Sequence, residues 1–299
     1  MTYSIVARDP QTGRFGIAVQ SHYLGVGPVV PWLEAGVGAV ATQASVNVAF
    51  GPIGLELLRS GMTAEQTVAA LVAGDDNPQV RQLGVVDAEG RAAAHTGSDT
   101  IPAAGHLVRD GFTVQGNLLL SETCWPAMAA AYEAGLADGA PFVERMLRAL
   151  EAAEREGGDV RGRQSSAIMV VDAAVQQAAW RGRLMDLRIE DHPDPVPELR
   201  RIVTLQLAYD LLNDQGDAAK AGASADDRYA QARETAPDAF ELVFWQALEL
   251  AKRGDLAGAR REMAIAVAAD ESWRRTLEHL GEGRREGMTP ELATDLLVD

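Results

Sequence analysis

Lysine is almost missing from this 299-residue chain: residues 1–190 hold fourteen arginines and no lysine, and the only lysines are Lys220 and Lys252. A Walker A loop, a Schiff-base nucleophile and a Ser-x-x-Lys hydrolase each need a catalytic-domain lysine, so the first 190 residues exclude all three. Cysteine is scarcer still. Cys124 alone rules out an internal disulfide framework and suits a reducing compartment. No apolar run approaches the ~20 residues that span a bilayer. The opening MTYSIVARDP has neither a basic n-region nor an apolar h-region, so a cytoplasmic location is expected. Basic charge is in deficit, with 27 Lys and Arg against 43 Asp and Glu and a formal net charge of −16. That balance opposes a phosphate backbone or an anionic membrane, so neither nucleic acid nor membrane is expected as a partner. Five histidines, His22, His95, His106, His192 and His279, form no HExxH or Cys/His ligand spacing. No metal and no other cofactor is expected.

What is present reads as two globular domains, on length and on a hydrophobic content of 47%. Tyr3–Arg8 and Phe15–Ser21 flank the turn-rich Asp9-Pro10-Gln11-Thr12-Gly13 and predict a hairpin. Val37–Gln43 predicts a third strand. Helices are predicted over Ile53–Ser60 and over Ala64–Ala73, the latter with Thr63 as N-cap. Strands return at Gln82–Asp87, Arg91–His95, His106–Val108 and Phe112–Gln115. Helices follow at Trp125–Ala137 and Phe142–Glu156, then strands at Ser165–Val171 and Val175–Trp180. This order suits an α+β fold of four layers, αββα, in which two sheets pack face to face between helices. Continuous apolar runs such as Ala167–Val171 fit strands covered on both faces.

The segment His192-Pro193-Asp194-Pro195-Val196-Pro197 disfavours helix and predicts a linker. The expected organisation is a first domain at 1–191, the linker at 192–197 and an all-α helical-repeat domain at 198–299. Ala225, Tyr229, Ala232 and Pro237, then Ala247, Ala259, Met263 and Ala266, carry tetratricopeptide-like spacing, with a lengthened inter-helix loop at 213–224 in the first repeat.

Thr2 is small enough for aminopeptidases to remove Met1. A terminal threonine then holds nucleophile and base together: Oγ1 attacks while the α-amine, with a free pKa of about 8, takes the proton. Other chemistry is weak. Gly36–Ala41 matches G-x-G-x-x-A, but the turn-like PWLEAG before it argues against dinucleotide binding. Ser21 and His22 point to opposite faces of a strand. Cys124 beside Trp125-Pro126 reads as a packed hydrophobe, and Asp75-Asp76 as a solvated loop.

The blocks TYSIVARDPQTGRFGIAVQS (2–21), GVGAVATQ (36–43), QLGVVDAEG (82–90), QGNLL (115–119) and GGDVRGRQSSAIMVV (157–171) add a resemblance. Together they resemble a bacterial domain-of-unknown-function family related to the N-terminal-nucleophile (Ntn) hydrolases, with a C-terminal peptidoglycan-binding-like extension. The resemblance implies an Ntn-hydrolase-like sandwich and amidohydrolase activity on a C–N bond of a small molecule or peptide, with Thr2 as nucleophile. Carried over by motif, Asn117 is the oxyanion donor, and Ser21, Thr42, Gln43, Arg163, Gln164 and Ser165 are substrate-binding or supporting residues. Proteasome-like members place a lysine beside the nucleophile; here either Arg8 or a hydrogen-bond network replaces it, as in amidase-like members, or the fold has lost hydrolysis. The alternative function is a non-catalytic protein that binds peptide or peptidoglycan fragments through the helical repeats. Homo-oligomerisation stays open.

Overall fold

The computed structural model describes residues 2–213, 219 and 221–298. Met1 and part of the expected loop 213–224 lie outside the described residues. The chain divides into two compact units, Met1–Arg200 and Arg201–Asp299.

Among its described residues the first unit holds ten strands in two antiparallel sheets. Strands β1 (Thr2–Arg8) and β2 (Phe15–Ser21) form the predicted hairpin. Its turn is built by Asp9, whose carboxylate accepts from the Thr12 backbone N–H at 3.2 Å and the Thr12 hydroxyl at 2.5 Å. Gly13 supplies the left-handed step, at φ 73°. β3 (Pro31–Glu34), β4 (Gly38–Ala44), β5 (Arg81–Asp87) and β6 (Ala92–Thr96) make a four-stranded sheet in that order. β7 (Gly105–Arg109), β8 (Phe112–Asn117), β9 (Ser165–Val171) and β10 (Arg183–Ile189) join the hairpin in a six-stranded sheet ordered β10-β9-β2-β1-β8-β7. The sheets face one another across Val6, Ile17, Val19, Ala39, Ala41 and Val86.

Helices cover both outer faces. α1 (Phe50–Arg59) and α2 (Ala64–Ala73) lie on the four-stranded sheet, sharing a core of Val40, Leu55, Leu58, Leu71, Leu83 and Val85. α2 starts with a full capping box, Thr63 to Gln66 and back. α3 (Cys124–Ala137) and α4 (Phe142–Arg155) lie on the six-stranded sheet. Buried on two sides, β2 and β9 are covered along their whole length.

Three expectations differ from what folds. Pro31–Glu34 is a strand, not a turn, so the motif Gly36–Ala41 runs out of a hairpin turn into β4. Dinucleotide binding is still disfavoured, now because no helix follows the glycines. The last strand is Arg183–Ile189, while Ala179–Gly182 forms a single 3-10 turn. Its charges hid it: β10 is an edge strand, where Asp186 pairs with both Arg183 and Arg188, and an edge tolerates such side chains. The linker is not free chain either. α5 (Pro195–Leu212) begins inside it, with Val196 and Leu199 buried. Proline is tolerated in a first helical turn, where its missing N–H has no intrahelical partner to lose.

Among its described residues the second unit contains helices and connecting turns and no strand. After the end of α5 come α6 (Ala225–Thr235), α7 (Phe240–Lys252), α8 (Leu256–Ala269), α9 (Ser272–Glu282) and α10 (Pro290–Asp295), giving ten α-helices among the described residues of the chain. Ala232, Ala247, Ala259, Met263 and Ala266 are all fully buried; the four alanines let helices approach closely. No described helix is long and apolar enough to cross a membrane.

Candidate functional site

Period-two alternation decides which side chains meet. In β1, Thr2 and Ser4 turn toward the opposite sheet, while Tyr3 turns outward, its hydroxyl on Glu154 of α4. Burial first, then the Glu154 charge, pushes the Tyr3 phenol well above its usual range, so it stays neutral. Register sets Thr2 opposite Asn117 of β8, and Tyr3 opposite Gln20 of β2. The ends of β2 and β8 therefore bracket the start of β1.

Thr2 is 5% exposed, and its Oγ1 donates to Ser21 Oγ at 3.1 Å. Its carbonyl oxygen lies between two side-chain amides: Gln43 Nε2 of β4 at 3.3 Å and Asn117 Nδ2 at 3.4 Å. Both nitrogens share a better acceptor, Gln82 Oε1 of β5, at 2.7 Å from Gln43 and 2.9 Å from Asn117. Gln82 Nε2 in turn donates to the Gly116 carbonyl at 2.7 Å and to Thr96 Oγ1 at 2.9 Å. Ser4 Oγ donates to Gln43 Oε1 at 2.7 Å and accepts from Gln115 Nε2 at 2.6 Å. The result is a buried polar network that crosses both sheets, with Thr2 at its end.

Two backbone outliers frame it. Ala44, at φ 69°, directly follows Gln43, and Leu118, at φ 52°, directly follows Asn117. A left-handed non-glycine residue costs about 1–2 kcal/mol. Here each one turns the chain sharply out of its strand just past an amide that touches Thr2, a form of strain that gathers at functional sites.

A cavity of about 60 Å³ opens beside Thr2, lined by Ser21, Tyr23, Val26, Val29, Val30, Gln43, Ala44 and Val46. Among the described residues no charged side chain lines it. Nor do the described residues contain a group of three or more His, Cys, Asp or Glu placed to hold a metal ion. Cys124 is a buried thiol that burial pushes up from its ordinary value, which disfavours the thiolate.

Of the residues expected at the site, Thr2, Ser21, Gln43 and Asn117 converge. Thr42 does not: its neighbour Gln43 holds the inward position, and Thr42 Oγ1 instead donates to the Asn47 carbonyl at 3.1 Å. Ser165 sits opposite Ser21 and acts one step away. Its hydroxyl bonds to the Tyr23 carbonyl at 2.5 Å and accepts from Val26 N–H at 3.1 Å, fixing the loop that walls the cavity. Arg163 and Gln164 are directed elsewhere, Arg163 to Glu154 and Asp194 and Gln164 to Asp191. Arg8 ends β1 and stands over the Phe15 ring. Six residues of extended chain, roughly 20 Å, separate it from Thr2, so it takes no lysine-like part. Asp75 is also corrected: its side chain is 3% exposed and holds Asn47 and Arg81.

Ser4, Gln82 and Gln115 were missed. The readable signal was a polar residue on the inward face of an apolar strand, which needs a partner when buried. Gln82→Ala is expected to lower stability by about 2–4 kcal/mol, because it strands the Gln43 and Asn117 amides and the Gly116 carbonyl. Chemical denaturation checks this; a change under 0.5 kcal/mol would show that the network does not bind the sheets together.

Comparison with known proteins places the first unit. The model of a family of unknown function, DUF1028, matches residues 2–199. A solved crystal structure, protein SPO2555 from Silicibacter pomeroyi, assigned to the same family, is similar at 31% sequence identity and a TM-score of 0.61. The match covers 73% of this chain and 88% of that one. No curated protein matches. On the extent of the family match and the identity of the solved relative, the chain belongs to the family of unknown function DUF1028.

Proposed function

We propose that the first unit is an Ntn-type amidohydrolase in which Thr2, exposed as the N-terminus by loss of Met1, cleaves a C–N amide bond. The observation that carries the reading is Thr2 itself: a hydroxyl beginning an internal strand, at a cavity, on a residue whose carbonyl oxygen lies between two side-chain amides. The four layers of helix, sheet, sheet and helix support the same reading by analogy with Ntn hydrolases.

In the reaction, Thr2 Oγ1 forms a bond to the substrate carbonyl carbon and its proton passes to the α-amine. The tetrahedral oxyanion collapses, the C–N bond breaks, and the proton leaves on the amine product. Water then attacks the Thr2 ester, releasing a carboxylic acid and restoring the hydroxyl. Asn117 stabilises the oxyanion. Its contact to the Thr2 carbonyl is long at 3.4 Å, so this N–H is the one that swings to the developing charge while Gln82 keeps hold of the other. The hydrogen-bond network of Ser21, Gln43 and Gln82 takes the place of the absent lysine.

The test is a screen of amide substrates against the full chain. Hydrolysis that survives a chelator supports the reading, since one residue supplies nucleophile and base. Chelator-sensitive hydrolysis contradicts it. A second reading, binding of a peptide or peptidoglycan fragment by the helical unit, draws on a depression of about 590 Å³ there, lined by Tyr209, Pro237, Phe240 and Trp273 among others. A purified protein that retains Met1 and never hydrolyses an amide favours that reading.

A further inference from the structure

The cavity beside Thr2 has two unlike ends. Its floor is closed and mostly apolar: Val26 and Val30 are 2% and 3% exposed, and Ser21 and Gln43 are each 1% exposed. Its mouth is open, with Tyr23 and Val46 at 52% and 37% exposure. We propose that the closed end is a subsite for the acyl half of the scissile amide, selecting a short, uncharged aliphatic group. This rests on the amidohydrolase reading of Thr2.

Three arguments lead there. Volume comes first: an apolar cavity of ~150 Å³ holds the six carbons of benzene, so about 60 Å³ has room for roughly two to three carbons on the same scale. Chemistry comes second. With valines on the floor and no charged side chain in the lining among the described residues, a carboxylate or ammonium group entering would be desolvated without a side-chain counter-charge, and the Thr2 α-amine is neutral in the form that acts as base. Direction comes third. The acyl carbon stays bonded to Thr2 through both half-reactions, whereas the amine must depart after the first. A closed pocket therefore suits the acyl group, and the open mouth suits the leaving group.

The walls are also braced, so the size limit is enforced. Ser165 holds Tyr23 and Val26, and Trp32 Nε1 donates to the Val29 carbonyl at 3.0 Å. On the other wall, Asn47 Nδ2 donates to Asp75 at 2.8 Å and Arg81 donates to the Ser45 carbonyl at 2.6 Å. Each loop is tied to neighbouring segments by at least two hydrogen bonds at or beside its cavity-lining residues.

The experiment uses one series of 4-nitroanilides with acetyl, propionyl, hexanoyl, phenylacetyl and succinyl groups. Hydrolysis is measured with the wild-type full chain, and binding is measured by NMR with the Thr2→Ala chain, which keeps the pocket. Acetyl and propionyl should bind and react best, and hexanoyl, phenylacetyl and succinyl should each be weaker by ~10-fold or more. Val30→Ala should move the optimum toward the longer chain. Val46→Trp, at the exposed rim where folding is not at stake, should weaken binding of every member. Phenylacetyl or succinyl binding as well as propionyl, or no binding by any member, overturns the subsite. Size-selective binding without any hydrolysis keeps the subsite and overturns the amidohydrolase reading. Hydrolysis indifferent to acyl size does the reverse.

Discussion

Thr2→Ala is expected to lower amide hydrolysis by on the order of 10⁴-fold or more, because the attacking oxygen is gone while the cavity and its amides remain. Thr2→Ser keeps the oxygen and the free amine and should retain part of the rate. The pair of variants separates chemistry from structure. Neither changes the strand pairing of β1, where Tyr3 stands in register with Gln20 on one side and Gly116 on the other, so both should unfold close to the wild type. Asn117→Ala belongs to the same series and should cost ~10²–10³ in rate through lost oxyanion stabilisation. An active enzyme indifferent to Thr2→Ala would end the mechanism.

The second large effect lies away from Thr2, at the far end of the same hairpin. Arg145→Ala is expected to destabilise the fold by about 3–5 kcal/mol, since it leaves the Asp9 carboxylate buried without its counter-charge. Arg145 and Asp9 are 1% and 2% exposed and meet at 2.5 Å. The guanidinium also lies 5.5 Å from the Tyr132 ring centre and 5.4 Å from that of Phe142, adding cation–π attraction. Burial alone would raise the Asp9 carboxyl; the bonds from Thr12 and Arg145 and the Arg145 charge outweigh it and hold the carboxyl below its ordinary 3.8. A carboxyl depressed in the fold contributes stability that is complete above about pH 3.8 and is lost as pH falls through the lower folded value. Urea unfolding at neutral pH measures the first effect, and the acid limb of a stability profile measures the second. Asp9→Asn should flatten that limb. A loss below 1 kcal/mol in Arg145→Ala would contradict this account of the hairpin turn.

These two sites differ in how far the sequence exposes them. The hairpin was legible because Asp9-Pro10-Gln11-Thr12-Gly13 is turn chemistry between apolar runs, but nothing in it names Arg145, which lies 136 residues away. The strands β1, β2, β5, β8 and β9 were legible as apolar runs, and α2 from its Thr63 N-cap. β3 and β10 were not, because one is four residues long and the other carries edge charges. At the candidate site, Thr2 was reached through the chemistry of a terminal threonine and Ser21, Gln43 and Asn117 through the family resemblance, which also brought in Thr42, one residue out of phase. Strand period alone cannot choose between neighbours until the facing sheet is known. Gln82 escaped for a related reason: a glutamine opening a strand reads as solvent-facing, and only the packing of β5 against β8 turns it into the acceptor shared by Gln43 and Asn117.

The free α-amine of Thr2 is the element on which the proposed chemistry depends, and intact mass spectrometry of untagged protein tests it most directly. The predicted result is a mass lower than that of the full translation product by one methionine, with Thr2 recovered as the first residue of the N-terminal peptide. Quantitative retention of Met1 would leave the hydroxyl without its base and contradict the mechanism.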